Sequence, residues 1–330
     1  MSPFPAPRSV RVSPPSAPEP IHLSVHEQGE GTAVVFSHGF PELGYSWRHQ
    51  LPAVAAAGFR AIAPDQRGYG GSSRPERISA YGLRDLCGDL AGLLDALEIE
   101  KAVFVGHDWG GMVAWGMPVL YPERTLGVVG VCTPYLSMRG TDAIRELVDG
   151  DDDRHYILWF QKPGVAEAAM DGRVRILFER MLRGAVSPEK AAARMFRDGK
   201  LDMNPFRRTG DPDPDPEEMG APFATAEEVD TYVRAFEKTG FGGGINWYRN
   251  IDANARDVPE MGQKKLSLPC LMLTAEWDMA LRPELAEGMA DLCPDLELHM
   301  IERAGHWVQQ EAADEVNERL VDWLRRRFAA

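Results

Sequence analysis

The sequence predicts an α/β fold: a mostly parallel, doubly wound sheet interrupted by an inserted helical lid. Three observations predict it. Short, nearly continuous apolar runs alternate with helix-period segments over the first 133 residues. That rhythm stops after Thr133, and it resumes near residue 266. Apolar runs without polar alternation are what strands buried on both faces of a parallel sheet require.

Taken in order, residues 1–20 hold seven prolines and no apolar signal-like region, so a loosely ordered tail is expected there. Residues 21–133 carry the runs Ala33–Phe36, Arg60–Ala63, Ala102–Val105 and Leu126–Val131. Between two of them, Leu83, Leu86, Leu90, Leu93, Leu94 and Leu97 mark one face of a helix. Residues 134–265 are helical in pattern, rich in charge and Met, and broken by loops; these form the expected lid. Residues 266–330 return to the core with strand-like runs Cys270–Leu273 and Leu296–Ile301. A final amphipathic helix follows, with Val316, Leu320, Trp323, Leu324 and Phe328 on one face. No internal repeat is visible.

At 330 residues, 44% apolar and 26% charged, the chain can bury a substantial core. A net charge of −14 argues against nucleic acid or an anionic membrane as partner, because those need clustered Lys and Arg. No apolar stretch approaches the roughly 20 residues that span a bilayer. Cys87, Cys132, Cys270 and Cys293 are scattered in or beside apolar runs without a C-x-x-C pair. Packed thiols in a reducing, cytoplasmic setting are expected.

The most informative segment is Val103 to Met112. A buried strand ends at Gly106, a helical pattern begins near Trp109, and between them stands Gly106-x-Asp108-x-Gly110, followed by Gly111. This is the pattern of a nucleophile elbow, a turn so tight that small neighbours are needed, here carrying a carboxylate. A helix-capping aspartate is the alternative reading. A serine needs a base to remove its proton, whereas an aspartate, with an ordinary pKa of about 3.9, is ionised at neutral pH. A carboxylate is poorly suited to amides, since its acyl product would be an anhydride. It suits displacement at an sp³ carbon, as in epoxides and alkyl halides.

The chain then supplies an acid and a histidine in the order such elbows use. Asp278 follows the apolar run beginning at Cys270, with Glu276 as a nearby competitor, and His306 lies in a loop past the next run. Asp278 would fix the His306 tautomer, and His306 would take a proton from water. After the early run Ala33–Phe36 comes His38-Gly39-Phe40-Pro41-Glu42. This strand end suits an oxyanion hole made from the backbone amides of Phe40 and Trp109.

Several signals fail. Gly68-Tyr69-Gly70-Gly71-Ser72-Ser73 lacks the third glycine of a dinucleotide fingerprint, and His26-Glu27-Gln28-Gly29-Glu30 lacks the second histidine of a zinc-protease helix. The acids after Asp211 resemble a calcium loop, but Pro216 stands where the sharp-turn glycine belongs and Pro222 where the bidentate glutamate belongs. A solvated loop is expected there, and neither metal nor cofactor. Gly242-Gly243-Gly244 reads as a flexible joint.

His38-Gly39-Phe40-Pro41-Glu42, Gly106-His107-Asp108-Trp109-Gly110-Gly111, Ala275-Glu276-Trp277-Asp278 and Gly305-His306-Trp307 together resemble the soluble epoxide hydrolase family of the α/β-hydrolase fold. The likeness runs from about Ile21 to the final helix. Vertebrate members carry an additional phosphatase domain, for which no room is expected here. The segments His155–Gly164 and Gly240–Asn250 resemble the family's two lid tyrosine motifs, which implies that Tyr156 and Tyr248 grip the epoxide oxygen. A phenol with a pKa near 10 can donate to the alkoxide that ring opening leaves. The resemblance also implies that Glu42 helps position the hydrolytic water, although a solvent-facing carboxylate is the other reading. The expected partner is a small apolar epoxide; oligomeric state stays open. Two rivals remain: a dehalogenase of the same fold, suggested locally by His155-Tyr156, and a non-catalytic ligand receptor.

Overall fold

The computed structural model describes residues 4–15, 19–208 and 219–329. Its main sheet is built from β1 (Arg8–Val12), β2 (Ile21–Gln28), β3 (Ala33–Ser37), β4 (Arg60–Asp65), β5 (Ala102–His107), β6 (Thr125–Val131), β9 (Cys270–Ala275) and β10 (Leu296–Ile301). A separate two-residue ladder pairs β7 (Phe196–Arg197) with β8 (Lys200–Leu201). The main sheet runs in the order β1-β2-β4-β3-β5-β6-β9-β10. The strands from β4 to β10 are mutually parallel, and β2 is antiparallel to both β1 and β4. The expected mostly parallel sheet is therefore present.

The central strands are buried on both faces, for the reason their uninterrupted apolar character implies. Ala102 and Phe104 of β5 join one core, with Leu83, Leu86, Leu90, Leu93 and Leu94 of the helix Leu83–Ala96. Val103 and Val105 join the other, with Val316, Leu320, Trp323 and Leu324 of the closing helix Ala313–Phe328. Each such side chain taken out of water contributes about 1.5–3 kcal/mol before chain entropy is charged.

Two expectations are corrected. Arg8–Val12, inside the stretch expected to be a loosely ordered tail, is an edge strand with Val10 and Val12 buried. Its residues alternate exposed and buried, a period-two pattern obscured in the sequence by the surrounding prolines. Gly242–Gly244 is no flexible joint; it forms the first turn of the helix Gly242–Arg249. A Cβ on Gly243 would lie 2.3 Å from the Gly68 carbonyl oxygen, and one on Gly244 would lie 2.4 Å from the Tyr69 hydroxyl. These glycines serve close packing. The acidic run from Asp211 to Glu218 lies outside the described residues.

Between β6 and β9 the chain leaves the sheet and forms mainly short helices, from Thr141–Leu147 to Ile251–Asp257. Among the described residues, no helix is long and apolar enough to cross a membrane. All four cysteines are buried and free.

Candidate active site

Asp108 stands directly after β5 and before the helix Trp109–Leu120, with φ of 51° and ψ of −125°. This left-handed backbone is rare for a residue with a side chain and persists only where its surroundings enforce it. The enforcement is visible at the flanking glycines. A Cβ on Gly106 would lie 2.0 Å from the Gly110 carbonyl oxygen, and one on Gly110 would lie 2.0 Å from that of Ser37. The Thr133 hydroxyl donates to the Asp108 carbonyl at 2.8 Å, fixing the turn from the neighbouring strand end.

Because β3, β5, β9 and β10 are parallel, the residues after them gather at one edge of the sheet. Oδ1 of Asp108 accepts the Phe40 amide at 2.8 Å, and the Trp109 amide also faces this carboxylate. Oδ2 lies 3.7 Å from Nε2 of His306. On its other side, His306 Nδ1 meets Asp278 Oδ2 at 2.8 Å. The second Asp278 oxygen accepts the amides of Ala280 and Leu281 at 2.8 and 2.9 Å. Glu276, the competing acid, instead accepts the Arg303 amide. The choice follows from direction, since residues two apart near a strand end need not face the same way.

Burial pushes the Asp108 carboxyl above its ordinary range, against the pull of His306, His107 and the Phe40 and Trp109 amides. Burial also opposes charge on His306, but Asp278, Asp108 and Glu42 outweigh it and hold the imidazole up at about 9. Burial likewise opposes charge on Asp278, yet His306 and the two loop amides bring it down to about 2.

Tyr156 and Tyr248 line the same cavity of about 400 Å³ as Asp108 and His306. Tyr156 opens the helix Tyr156–Phe160, and Tyr248 lies in the helix Gly242–Arg249. Their rings meet edge to face with centroids 5.6 Å apart. Gln161 ties the two helices together, donating to the carbonyls of Ile157 and Tyr248 at 2.8 and 3.0 Å. Burial, with the nearby Asp108 charge, pushes both phenols well above their ordinary range, so they stay protonated donors. His155 caps the Tyr156 helix by accepting the Ile157 amide at 3.2 Å, and burial lowers its pKa to about 4. A neutral capping histidine outside the cavity lining gives the dehalogenase reading no halide donor at this position.

Glu42 is only 1% exposed, so it is not a solvent-facing carboxylate. It also does not line the cavity. Its oxygens accept from the Gly39 amide, His107, Gln309 and Gln310. Burial opposes its charge, but His107 and its other partners hold the carboxyl below its ordinary range. It meets the loop of His306 through His107, which the sequence reading passed over. The two ring nitrogens of His107 face Glu42 Oε2 and the His306 carbonyl oxygen, each at 2.7 Å. Its place beside Asp108 was the available signal. His38 supports the oxyanion turn, with Nδ1 on the Gly39 carbonyl and Nε2 accepting the Gln66 amide. The cavity wall adds Trp307, which the Gly305-His306-Trp307 motif included, and Phe206, Met181, Val186 and Leu281, which no motif marked. Among the described residues no group of three or more His, Cys, Asp or Glu could hold a metal ion.

This arrangement has counterparts. Residues 32–313 match the family model described as alpha/beta hydrolase fold. Epoxide hydrolase A of Mycobacterium tuberculosis is 42% identical over 314 residues, covering 92% of this chain and 94% of that protein. Bifunctional epoxide hydrolase 2 of Sus scrofa is 38% identical over 305 residues; the match covers 92% of this chain and 53% of the pig protein. The crystal structure of Epoxide Hydrolase A from Mycobacterium thermoresistibile superposes with a TM-score of 0.84 at 42% identity, covering 97% of this chain and 98% of that one.

Proposed function

Because this chain belongs to the α/β-hydrolase fold family, and within it to the epoxide hydrolases, we propose that it converts an epoxide and water to a vicinal diol through an ester on Asp108. One observation carries the assignment of residues. The Asp108 carboxylate has one oxygen on the Phe40 amide and the other toward His306, in a cavity shared with two phenols.

The chemistry follows from that division. Tyr156 and Tyr248 bind the epoxide oxygen. Asp108 Oδ2 displaces it from one ring carbon, forming a C–O ester bond as the ring C–O bond breaks. The alkoxide takes a proton from a phenol, which is later restored from solvent. Oδ1 becomes the ester carbonyl and already lies against the Phe40 and Trp109 amides, the donors that would hold the oxyanion of the second half.

The second half needs a neutral His306. In the resting enzyme the Asp108 charge helps keep His306 protonated. Esterification removes that charge, so His306 gives up its proton more readily and is neutral, able to accept one, at the moment a base is needed. His306, oriented by Asp278, takes a proton from water as the water oxygen attacks the Asp108 carbonyl carbon. The tetrahedral intermediate then collapses: the acyl C–Oδ2 bond breaks, and the departing alkoxide takes the proton from His306 to leave as the diol. The second water proton is lost to solvent as the carboxylate is restored carrying the oxygen of water. Glu42 and His107 steady the His306 backbone from behind. The apolar wall supports an apolar epoxide as substrate. The buried free thiols are consistent with a reducing, cytoplasmic setting, where the enzyme would remove electrophilic epoxides.

Single turnover in ¹⁸O-water tests this reading. Label should enter the Asp108 carboxylate, and an unlabelled Asp108 with labelled diol would refute the ester. Halide release from 1,2-dibromoethane without diol formation from any epoxide would instead favour the dehalogenase reading.

A further inference from the structure

We propose that Glu311 is a positioning residue that locks the loop of His306 to the pocket-lining loop at Ala185 of the inserted segment, so that the water-activating half of the cycle depends on it. The proposal rests on the ester reading above and extends it to a residue outside the cavity.

Glu311 ends the short helix Val308–Glu311, one turn beyond His306. One carboxylate oxygen accepts the Gly305 amide at 2.9 Å; the other accepts the Ala185 amide at 2.7 Å. Gly305 immediately precedes His306, and Ala185 belongs to the wall of the cavity. A single side chain thus bridges two backbones that also pack against each other. That contact is tight: a Cβ on Gly305 would lie 2.5 Å from the Ala185 Cβ, and one on Gly184 would lie 3.0 Å from Glu311 Oε1. The Ala185 side of the joint is held in turn, because the Gly184 amide donates to the Ala221 carbonyl at 2.9 Å.

The two halves of the cycle use this joint unequally. Ester formation draws on Asp108, fixed by the elbow, and on Tyr156 and Tyr248, held by helices that Gln161 links. None of these lies on the Glu311 bridge. Ester hydrolysis draws on His306, whose loop Glu311 anchors by the preceding amide. A carboxylate can accept from both amides at once. A carboxamide must turn its NH₂ toward one of them, so Glu311→Gln breaks one arm while keeping size and shape. A misplacement of ~1 Å at a catalytic group can cost about 100-fold.

The test is rapid-quench mass spectrometry of Asp108-ester formation and decay with styrene oxide, on the wild type, Glu311→Gln and Gly305→Ala. Gly305→Ala keeps the carboxylate but drives Ala185 away, and it decides the matter if Glu311→Gln does not fold. In both variants, ester formation should stay within about twofold and ester decay should slow about 10- to 100-fold, so that ester accumulates. Equal slowing of both steps, or unchanged decay, overturns the clamp while leaving the Asp108 reading intact. Absence of any ester in the wild type overturns the Asp108 reading, and the clamp with it.

Discussion

Nε2 of His306 stands 3.7 Å from Oδ2 of Asp108, outside hydrogen-bond range but close enough for each charge to set the other's proton affinity. On the proposed mechanism, this gap leaves the carboxylate oxygen free to attack carbon rather than being held by the imidazole. It would also make the base of the second half respond to the state of the nucleophile.

Asp108→Ala should abolish turnover, with no ester detectable by intact-protein mass spectrometry. His306→Ala should leave ester formation and slow ester decay by about 10²–10⁴, so one equivalent of substrate mass remains on the protein. Rapid decay in His306→Ala would show that another group activates water.

The His306 charge should be visible in stability. Its folded pKa of about 9 lies above the ordinary value of about 6.5. The protonated form therefore favours the fold, fully below about pH 6.5, and this contribution is lost as pH rises through about 9. Thermal midpoints of the wild type should fall across that window, and Asp278→Asn should flatten the fall. Asp278 itself, brought down to about 2, contributes stability above its ordinary range that is lost only as pH falls through about 2.

In single turnover, the base-dependent limb of ester decay should fall at lower pH than the His306 titration of the free enzyme measured by NMR. The ester lacks the Asp108 charge that raises the resting value. Coincidence of the two would mean that the Asp108 charge contributes nothing.

Tyr156→Phe and Tyr248→Phe should each slow ester formation by about 10–100-fold and leave ester decay nearly unchanged, because phenols protonate the alkoxide and His306 does not. The double variant should lose ring opening altogether. Since burial raises both phenols, no alkaline loss of ring opening below pH 10 should trace to them.

Gly110→Ala should destabilise the protein by about 1–3 kcal/mol or more, read as a lower denaturation midpoint. Its new Cβ would meet the Ser37 carbonyl oxygen at 2.0 Å, a backbone atom that has little room to move. An unperturbed midpoint would mean that the elbow is looser than its geometry implies.

Much of this enzyme was legible from local pattern. The strands β3, β5 and β10 begin where their apolar runs begin, and Asp108, Asp278 and His306 each lie within a few residues of a strand's C-terminal end. Parallel strands bring residues after their C-termini together whatever their spacing in the chain, which is why three distant motifs could be read as one site. The strand Arg8–Val12 was hidden because five residues among prolines give too short a period to read. The triple glycine misled because glycine fits close packing as readily as flexibility, and only a neighbour such as Gly68 distinguishes the two.

The sequence by itself determined the sheet, the elbow and its carboxylate, because each depends on residue type at short range: apolar runs, small neighbours, an acid that needs no activation. Tertiary structure alone decided that Asp278 rather than Glu276 holds His306, that Glu42 is buried behind His107, and that Glu311 joins two distant backbones. Those outcomes depend on where a carboxylate points after the chain has folded, and direction in space is a property of packing that no run of residues carries.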